Sequence, residues 1–96
     1  MLLIISTYTA ELARIEPHRK THSEWVSKYI DRGIFLLAGP KKTKSGGVIL
    51  AKSIDKEELK TILSEDSYEE AGVVESQIVE FDCVLSQPEL AQLSGI

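Results

Sequence analysis

Two histidines lie four residues apart in a stretch whose pattern is helical, and His22 is the first candidate for chemistry. Imidazole accepts and donates protons near neutral pH without further tuning. Spacings of three and four residues place His18, Trp25 and Tyr29 on the same side of a helix as His22. The pattern fits a general acid or base beside an aromatic wall. It also fits a histidine packed at the edge of a core.

A carboxylate that could act with this imidazole is Asp66. If it lay beside His22, it would orient the ring and favour the protonated imidazole. The alternative is structural, because Asp66 and Glu69 have the spacing of a capping box for a short helical turn. Sequence alone does not bring the two residues together, and their contact depends on the path of residues 65–72.

A metal site is the second chemistry that the histidine pair suggests, since residues at i and i+4 can share an ion. The helix position that carries the catalytic glutamate in metalloprotease motifs is Arg19 here. No further group of metal ligands is visible in the sequence. We therefore expect neither a metal nor an organic cofactor.

Three lysines in a glycine-containing loop, Lys41, Lys42 and Lys44, offer a site for a carboxylate or phenolate. The loop lacks the ending of a P-loop, and lysines in a hairpin loop are also typical solvated charges. The single cysteine, Cys83, has no basic neighbour in the sequence that would activate it. We interpret it as a strand side chain.

The elements that must position these residues follow from hydrophobic patterning and from turn residues. An amphipathic helix is predicted from Pro17 to Gly33, where a left-handed glycine would end it. A second helix begins with a capping box at Asp55 and ends near Ser64. The predicted strands are Leu2 to Tyr8, Ile34 to Ala38, Gly47 to Ala51 and Val74 to Val84, the last with Val79, Phe81 and Cys83 on one face.

The resulting order, β-α-β-β-α-β, predicts a ferredoxin-like α+β domain with two helices on one face of an antiparallel sheet. Several strands are apolar on both alternations, so the face without helices would expose an apolar patch. We predict a homodimer packed through that face. The chain is predicted to be one domain, residues 1–96, with a core over about residues 1–84 and a C-terminal tail over residues 85–96. A last helical turn is expected after Pro88.

Composition narrows the class of protein. The chain has 96 residues, 43% of them hydrophobic, which suits one core. Its net charge of -4 disfavours nucleic acid and anionic membranes as partners, because both attract basic surfaces. No segment is long and apolar enough for a signal peptide or a membrane span. A lone cysteine suits a reducing compartment, and we expect a cytoplasmic protein.

Taken together, the fragments resemble the YCII-related (YciI-like) proteins, over nearly the whole chain to about Val84. The resemblance rests on their order and spacing: Arg19-x-x-His22, a helix ending at Gly33, Ala38-Gly39-Pro40, Gly46-Gly47 before a strand, and Asp66-x-Tyr68-x-x-Ala71-Gly72-Val73. In the family a proline usually follows the aspartate, where this chain has Ser67. The resemblance implies a fold of the dimeric α/β barrel group, similar to muconolactone isomerase. It also implies a pocket in which His22 and Asp66 form a His-Asp pair.

One member of that family is a dehydrochlorinase acting on a chlorinated hydroxyquinol, and most members have no assigned reaction. We therefore expect a small-molecule enzyme of lyase or isomerase type, with His22 and Asp66 catalytic. Arg19, Gly39, Pro40 and Tyr68 are expected to bind the substrate. Two alternatives are a non-catalytic dimeric module that binds a small ligand, and a protein that binds a partner through its bare sheet face.

Overall fold

The structure, a computed structural model, describes residues 1–96. Its helices and strands follow the predicted order, with two additional short helices. They are β1 (Leu2–Tyr8), α1 (Leu12–Ile15), α2 (Arg19–Asp31), β2 (Phe35–Pro40), β3 (Gly46–Ala51), α3 (Lys56–Ser64), α4 (Ser67–Glu70) and β4 (Val74–Glu80). Turns of 3₁₀ helix lie at Glu16–His18 and Pro88–Leu93, the second of them where a last helical turn is expected after Pro88.

The four strands form one antiparallel sheet in the order β2-β3-β1-β4, and helices cover one of its faces. β1 is central, with Ser6 opposite both Gly47 of β3 and Ser76 of β4. This arrangement confirms the predicted ferredoxin-like α+β fold.

The core lies between the sheet and the two longer helices. Side chains alternate across a strand, so Leu2 and Ile4 of β1 point toward the helices and are fully buried. They join a cluster that includes Trp25 of α2 and Ile62 of α3. The Trp25 indole Nε1 donates to the Ile62 carbonyl at 2.9 Å, which ties α2 to α3. A second, smaller cluster consists of Ile15, Tyr68, Val73 and Val74.

The ends of the two longer helices agree with the sequence signals. Asp55 accepts a hydrogen bond from the backbone N–H of Glu58 at 2.8 Å, as an N-cap residue does. Gly33, just beyond α2, has a φ of 75°, which glycine adopts without steric cost.

Two predicted strand boundaries are wrong. The strand β2 continues through Gly39 and Pro40, beyond the predicted end at Ala38. Proline is tolerated there because β2 is an edge strand and needs fewer backbone donors. At the other edge, β4 stops at Glu80 instead of Val84, because its only neighbour, β1, begins opposite that residue. Phe81 and Cys83 therefore lie outside the strand, contrary to the prediction.

The sheet face away from the helices is apolar along its centre. Its outward positions follow from the register with the buried residues of β1. Leu37 is 55% exposed and Val79 is 38% exposed on this face. We call this the outer face, made by Leu3, Ile5, Leu37, Val48, Leu50 and Val79. No helix of the chain has both the length and the apolar character that a membrane span requires.

Candidate active site

His22 and Asp66 meet where α2 passes α4. The ring atom Nδ1 of His22 lies 2.7 Å from Oδ1 of Asp66. The Asp66 side chain is only 6% exposed, whereas the His22 side chain is 25% exposed. The carboxylate is thus enclosed by protein, and the imidazole is the member of the pair that a small molecule can reach.

Asp66 is also the N-cap residue of α4, and this second contact holds its carboxylate in place. Its Oδ1 also accepts from the backbone N–H of Tyr68 at 3.1 Å. The capping interpretation and the histidine contact are therefore both realised by one carboxylate. Glu69 does not complete the capping box, because its Oε1 accepts instead from the hydroxyl of Ser76 at 2.7 Å.

A hydrogen-bonded bridge holds α4 against the start of α2. The Ser67 hydroxyl donates to the His18 carbonyl at 3.0 Å, and the Thr21 hydroxyl lies 2.9 Å from Ser67 Oγ. Both contacts lie within one helical turn of the His22 contact with Asp66. The path of residues 65–72, which the sequence left open, is fixed in part by this bridge.

Tyr68 forms an aromatic wall behind the imidazole. The two rings are stacked, with centroids 4.0 Å apart and an angle of 10° between their planes. Tyr8 meets Tyr68 edge-on, with centroids 5.8 Å apart. Burial, with a further contribution from Tyr8, raises the pKa of Tyr68 to about 12. Tyr68 therefore stays protonated and uncharged at neutral pH.

A cleft of about 350 Å³ opens beside His22, between α2 and the ends of the strands β1, β2 and β3. Its volume suits a small organic molecule. Its lining combines hydroxyl groups, aromatic rings and glycines. The lining residues are Ser6, Tyr8, Arg19, His22, Ser23, Val26, Ser27, Ala38, Gly39, Pro40, Gly46, Gly47, Val48, Ile49 and Tyr68.

The model of the YCII-related domain family matches residues 1–82 of this sequence. The chain belongs to the YCII-related family. A search of curated proteins gives no match to it.

Among solved structures, this YCII-related domain is similar to 5-chloro-2-hydroxyhydroquinone dehydrochlorinase from Burkholderia phenoliruptrix AC1100, in complex with 2,5-dihydroxybenzoquinone. The sequences are 15% identical, and the superposition covers 85% of this chain and 94% of the dehydrochlorinase chain with a TM-score of 0.65. At that identity the likeness establishes the shared fold.

The predicted site residues of this YCII-related domain all lie at one place. Arg19, Gly39, Pro40 and Tyr68 line the same cleft as His22. The guanidinium of Arg19 is half exposed and contacts Glu16 at 3.1 Å.

Two groups that the sequence offered as alternatives are not in the cleft. The loop lysines do not line it, and the Lys41 ammonium donates to the Thr7 hydroxyl at 2.8 Å. His18 also lies outside the cleft lining. The chain holds no group of three or more histidine, cysteine or acidic residues close enough to bind a metal ion.

Sequence reasoning missed Ser6 and Tyr8. A signal was present, because Leu2, Ile4, Ser6 and Tyr8 share one alternation of β1. The first two are apolar and the last two carry hydroxyls. On the inner face of β1, the first half therefore packs in the core and the second half lines the cleft. The change from apolar to hydroxyl side chains after Ile4 marks where the cleft begins.

The arrangement fixes which nitrogen of His22 is free. An ionised carboxylate is a pure acceptor, so contact with Asp66 places a proton on Nδ1. In the neutral imidazole, Nε2 then carries the lone pair. Because His22 lines the cleft, this lone pair is the basic group available to a bound molecule.

Stability at high pH should depend on Tyr68. Its pKa is about 12 in the folded chain and about 10 when unfolded. Below pH 10 both states keep the proton; from about pH 10 to 12 only the unfolded state loses it, so the free energy of unfolding should fall.

Denaturation by urea at about pH 9 and pH 11 measures this loss, which should be smaller in Tyr68→Phe. Tyr29, whose pKa is also raised by burial and by its bond to Glu65, acts in the same direction and remains in that variant. Equal losses in both proteins would contradict the prediction.

Proposed function

We propose that this chain is a small-molecule enzyme of lyase or isomerase type in which His22 transfers a proton as general base or acid. Asp66 orients the imidazole, and the reaction uses neither a metal nor an organic cofactor. The contact of 2.7 Å between Nδ1 and Oδ1, at the edge of a cleft, is the observation that carries this proposal.

In the proposed step, His22 Nε2 removes a proton from an activated hydroxylated ring. The electron pair left behind either moves within the ring, as in an isomerase, or expels a leaving group, as in a lyase. The proton remains on Nε2 until it passes to the product or to solvent. The resulting imidazolium is stabilised by the Asp66 carboxylate.

The cleft supports an aromatic or lactone-like substrate. Tyr68 and Tyr8 provide aromatic surface, and the guanidinium of Arg19 suits a phenolate or enolate oxygen. Gly39 and Pro40 present no long side chain to the cleft, which leaves room for a flat ring. A dehydrochlorinase with this fold that holds 2,5-dihydroxybenzoquinone adds support to the choice of substrate class.

The test is release of chloride from 5-chloro-2-hydroxyhydroquinone, followed with a chloride-sensitive electrode under anaerobic conditions. Wild-type protein should accelerate release and His22→Gln should not. Binding of hydroxylated rings without any product would favour the other candidate, a ligand-binding module. No acceleration with any hydroxylated, halogenated ring would contradict the lyase assignment.

We further propose that two copies pack through the outer face. Six apolar side chains lie there without a covering helix, and Leu37 among them is more than half exposed. Burial of apolar surface is the main force in such association. The cleft opens on the helix side of the sheet and shares only Val48 with the outer face, so this dimer leaves most of the cleft open.

Replacement of Leu37 by lysine should convert the dimer into monomer, because it would bury a charge in the proposed apolar contact. Sedimentation velocity should give twice the 10.7 kDa chain mass for wild type and the single mass for Leu37→Lys. Lys42→Glu, a change in the exposed hairpin loop, is the control and should remain dimeric. A monomeric wild-type protein at high concentration would contradict the proposal.

A further inference from the structure

A second chain of hydrogen bonds reaches the cleft, and like the contact of Asp66 with His22 it starts from α4. Ser6 and Ser76 lie directly across from one another on β1 and β4, with their hydroxyl oxygens 3.2 Å apart. Ser76 Oγ donates in turn to Oε1 of Glu69 on α4 at 2.7 Å. Ser6 lines the cleft, whereas Ser76 and Glu69 do not.

The direction of this chain follows from counting protons. A serine hydroxyl has one proton to donate and two lone pairs, and an ionised carboxylate has none to donate. Ser76 gives its only proton to Glu69, so its contact with Ser6 requires that Ser6 be the donor. The Ser6 proton is therefore directed at Ser76, and both lone pairs of Ser6 Oγ remain available to accept from a ligand.

We propose that Ser6 Oγ is a binding group that accepts a hydrogen bond from a hydroxyl of the ligand, with Ser76 and Glu69 as positioning residues. This inference rests on the proposed function and extends it, because it assigns a second contact in the same cleft. His22 Nε2 is also an acceptor in the neutral ring. The cleft thus presents two acceptors and selects a ligand with two hydroxyl donors.

A site with two hydrogen-bond acceptors distinguishes between rings that differ only in one oxygen substituent. A second hydroxyl on the ring donates to Ser6, whereas a methoxy or keto oxygen at that place meets a lone pair and receives nothing. A neutral hydrogen bond of this kind contributes roughly three- to tenfold in affinity. Hydroquinone should bind tighter than 4-methoxyphenol by about that factor.

The first test is independent of any ligand. Neutron diffraction from crystals of the deuterated protein should show the Ser6 deuteron between Ser6 Oγ and Ser76 Oγ. The Ser76 deuteron should lie toward Glu69. A Ser6 deuteron directed into the cleft would overturn the proposal.

The second test measures affinity for hydroquinone and 4-methoxyphenol by NMR titration. In Ser6→Ala the preference for hydroquinone should disappear. Ser76→Ala should reduce it, since the Ser6 proton is then free to turn, and Ser76→Thr should restore it because the hydroxyl is retained. Ser64→Ala is the matched control, since its hydroxyl donates to the Thr61 carbonyl on α3, outside the cleft.

The outcomes separate this inference from the proposed function. An unchanged preference in Ser6→Ala, or an equal loss for both probes, would overturn the acceptor role alone. Failure of wild-type protein to bind either probe would overturn the phenol-binding cleft of the proposed function, and the ligand contact of Ser6 with it. If Ser76→Ala kept the full preference for hydroquinone, Ser76 and Glu69 would not be positioning residues for Ser6.

Discussion

Replacement of His22 by glutamine should lower the rate of chloride release by roughly a hundred- to ten-thousandfold, the usual contribution of general acid-base catalysis. Glutamine keeps similar size and hydrogen-bonding ability but cannot accept a proton at neutral pH. The measurement is kcat and KM for 5-chloro-2-hydroxyhydroquinone. The loss should fall mainly on kcat, because proton transfer belongs to the chemical step.

Two further variants sharpen this result. In Asp66→Asn the amide can donate to Nδ1, which would place the proton on Nε2 and remove the free lone pair. Activity should then fall although His22 is present. His18→Gln changes the other histidine, which does not line the cleft, and should keep wild-type activity. If His22→Gln turned over as fast as wild type, His22 would not be the base.

The largest loss of stability is expected from Gly46→Ala, at the start of β3. A Cβ atom at Gly46 would lie 1.9 Å from the backbone oxygen of Ser6, far inside van der Waals contact. The opposing atom belongs to the central strand, so no side chain can move aside. The φ of 152° is also one that residues with a side chain rarely adopt.

We expect Gly46→Ala to lower the free energy of unfolding by about 3 kcal/mol or more, because overpacking against backbone forces the strands apart. Denaturation by urea, followed by circular dichroism, measures this change. Gly39→Ala is the control in the neighbouring strand, where nothing lies within 4 Å of the added atom. Similar midpoints for the two variants would show that β1 and β3 can separate without cost.

The fold was predictable because its signals are local. The alternation of β1, the cap at Asp55 and the stop at Gly33 each depend on a few neighbouring residues. The wrong boundary of β4 has a different origin. Residues up to Val84 are prone to form a strand, but a strand needs a partner, and beyond the contact of Phe81 with Met1 the sheet offers none. The strand propensity of a segment does not show where its partner strand, distant in sequence, begins or ends.

The site was predictable only in part. His22 and Asp66 could be named as candidates, and the resemblance paired them, but their contact depends on the packing of α4 against α2. That packing involves Ser67 and Thr21, two residues without a sequence signal of their own. The alternation of β1 places Ser6 on the inner face, but its contact with Ser76 depends on the register of a strand 70 residues away.

The central position of β1 bears on the order in which the molecule is completed. This strand precedes the other three in the sequence, and Ser6 is separated from Ser76 by 70 positions in the chain. Contacts between distant residues form slowly, because a long loop must close before they can contribute. A nascent chain without β4 can pair the hairpin of β2 and β3 with β1. It still lacks Ser76, the hydrogen-bond partner of Ser6. The Ser6 contact that we propose for a ligand is therefore completed only when β4 has joined the sheet.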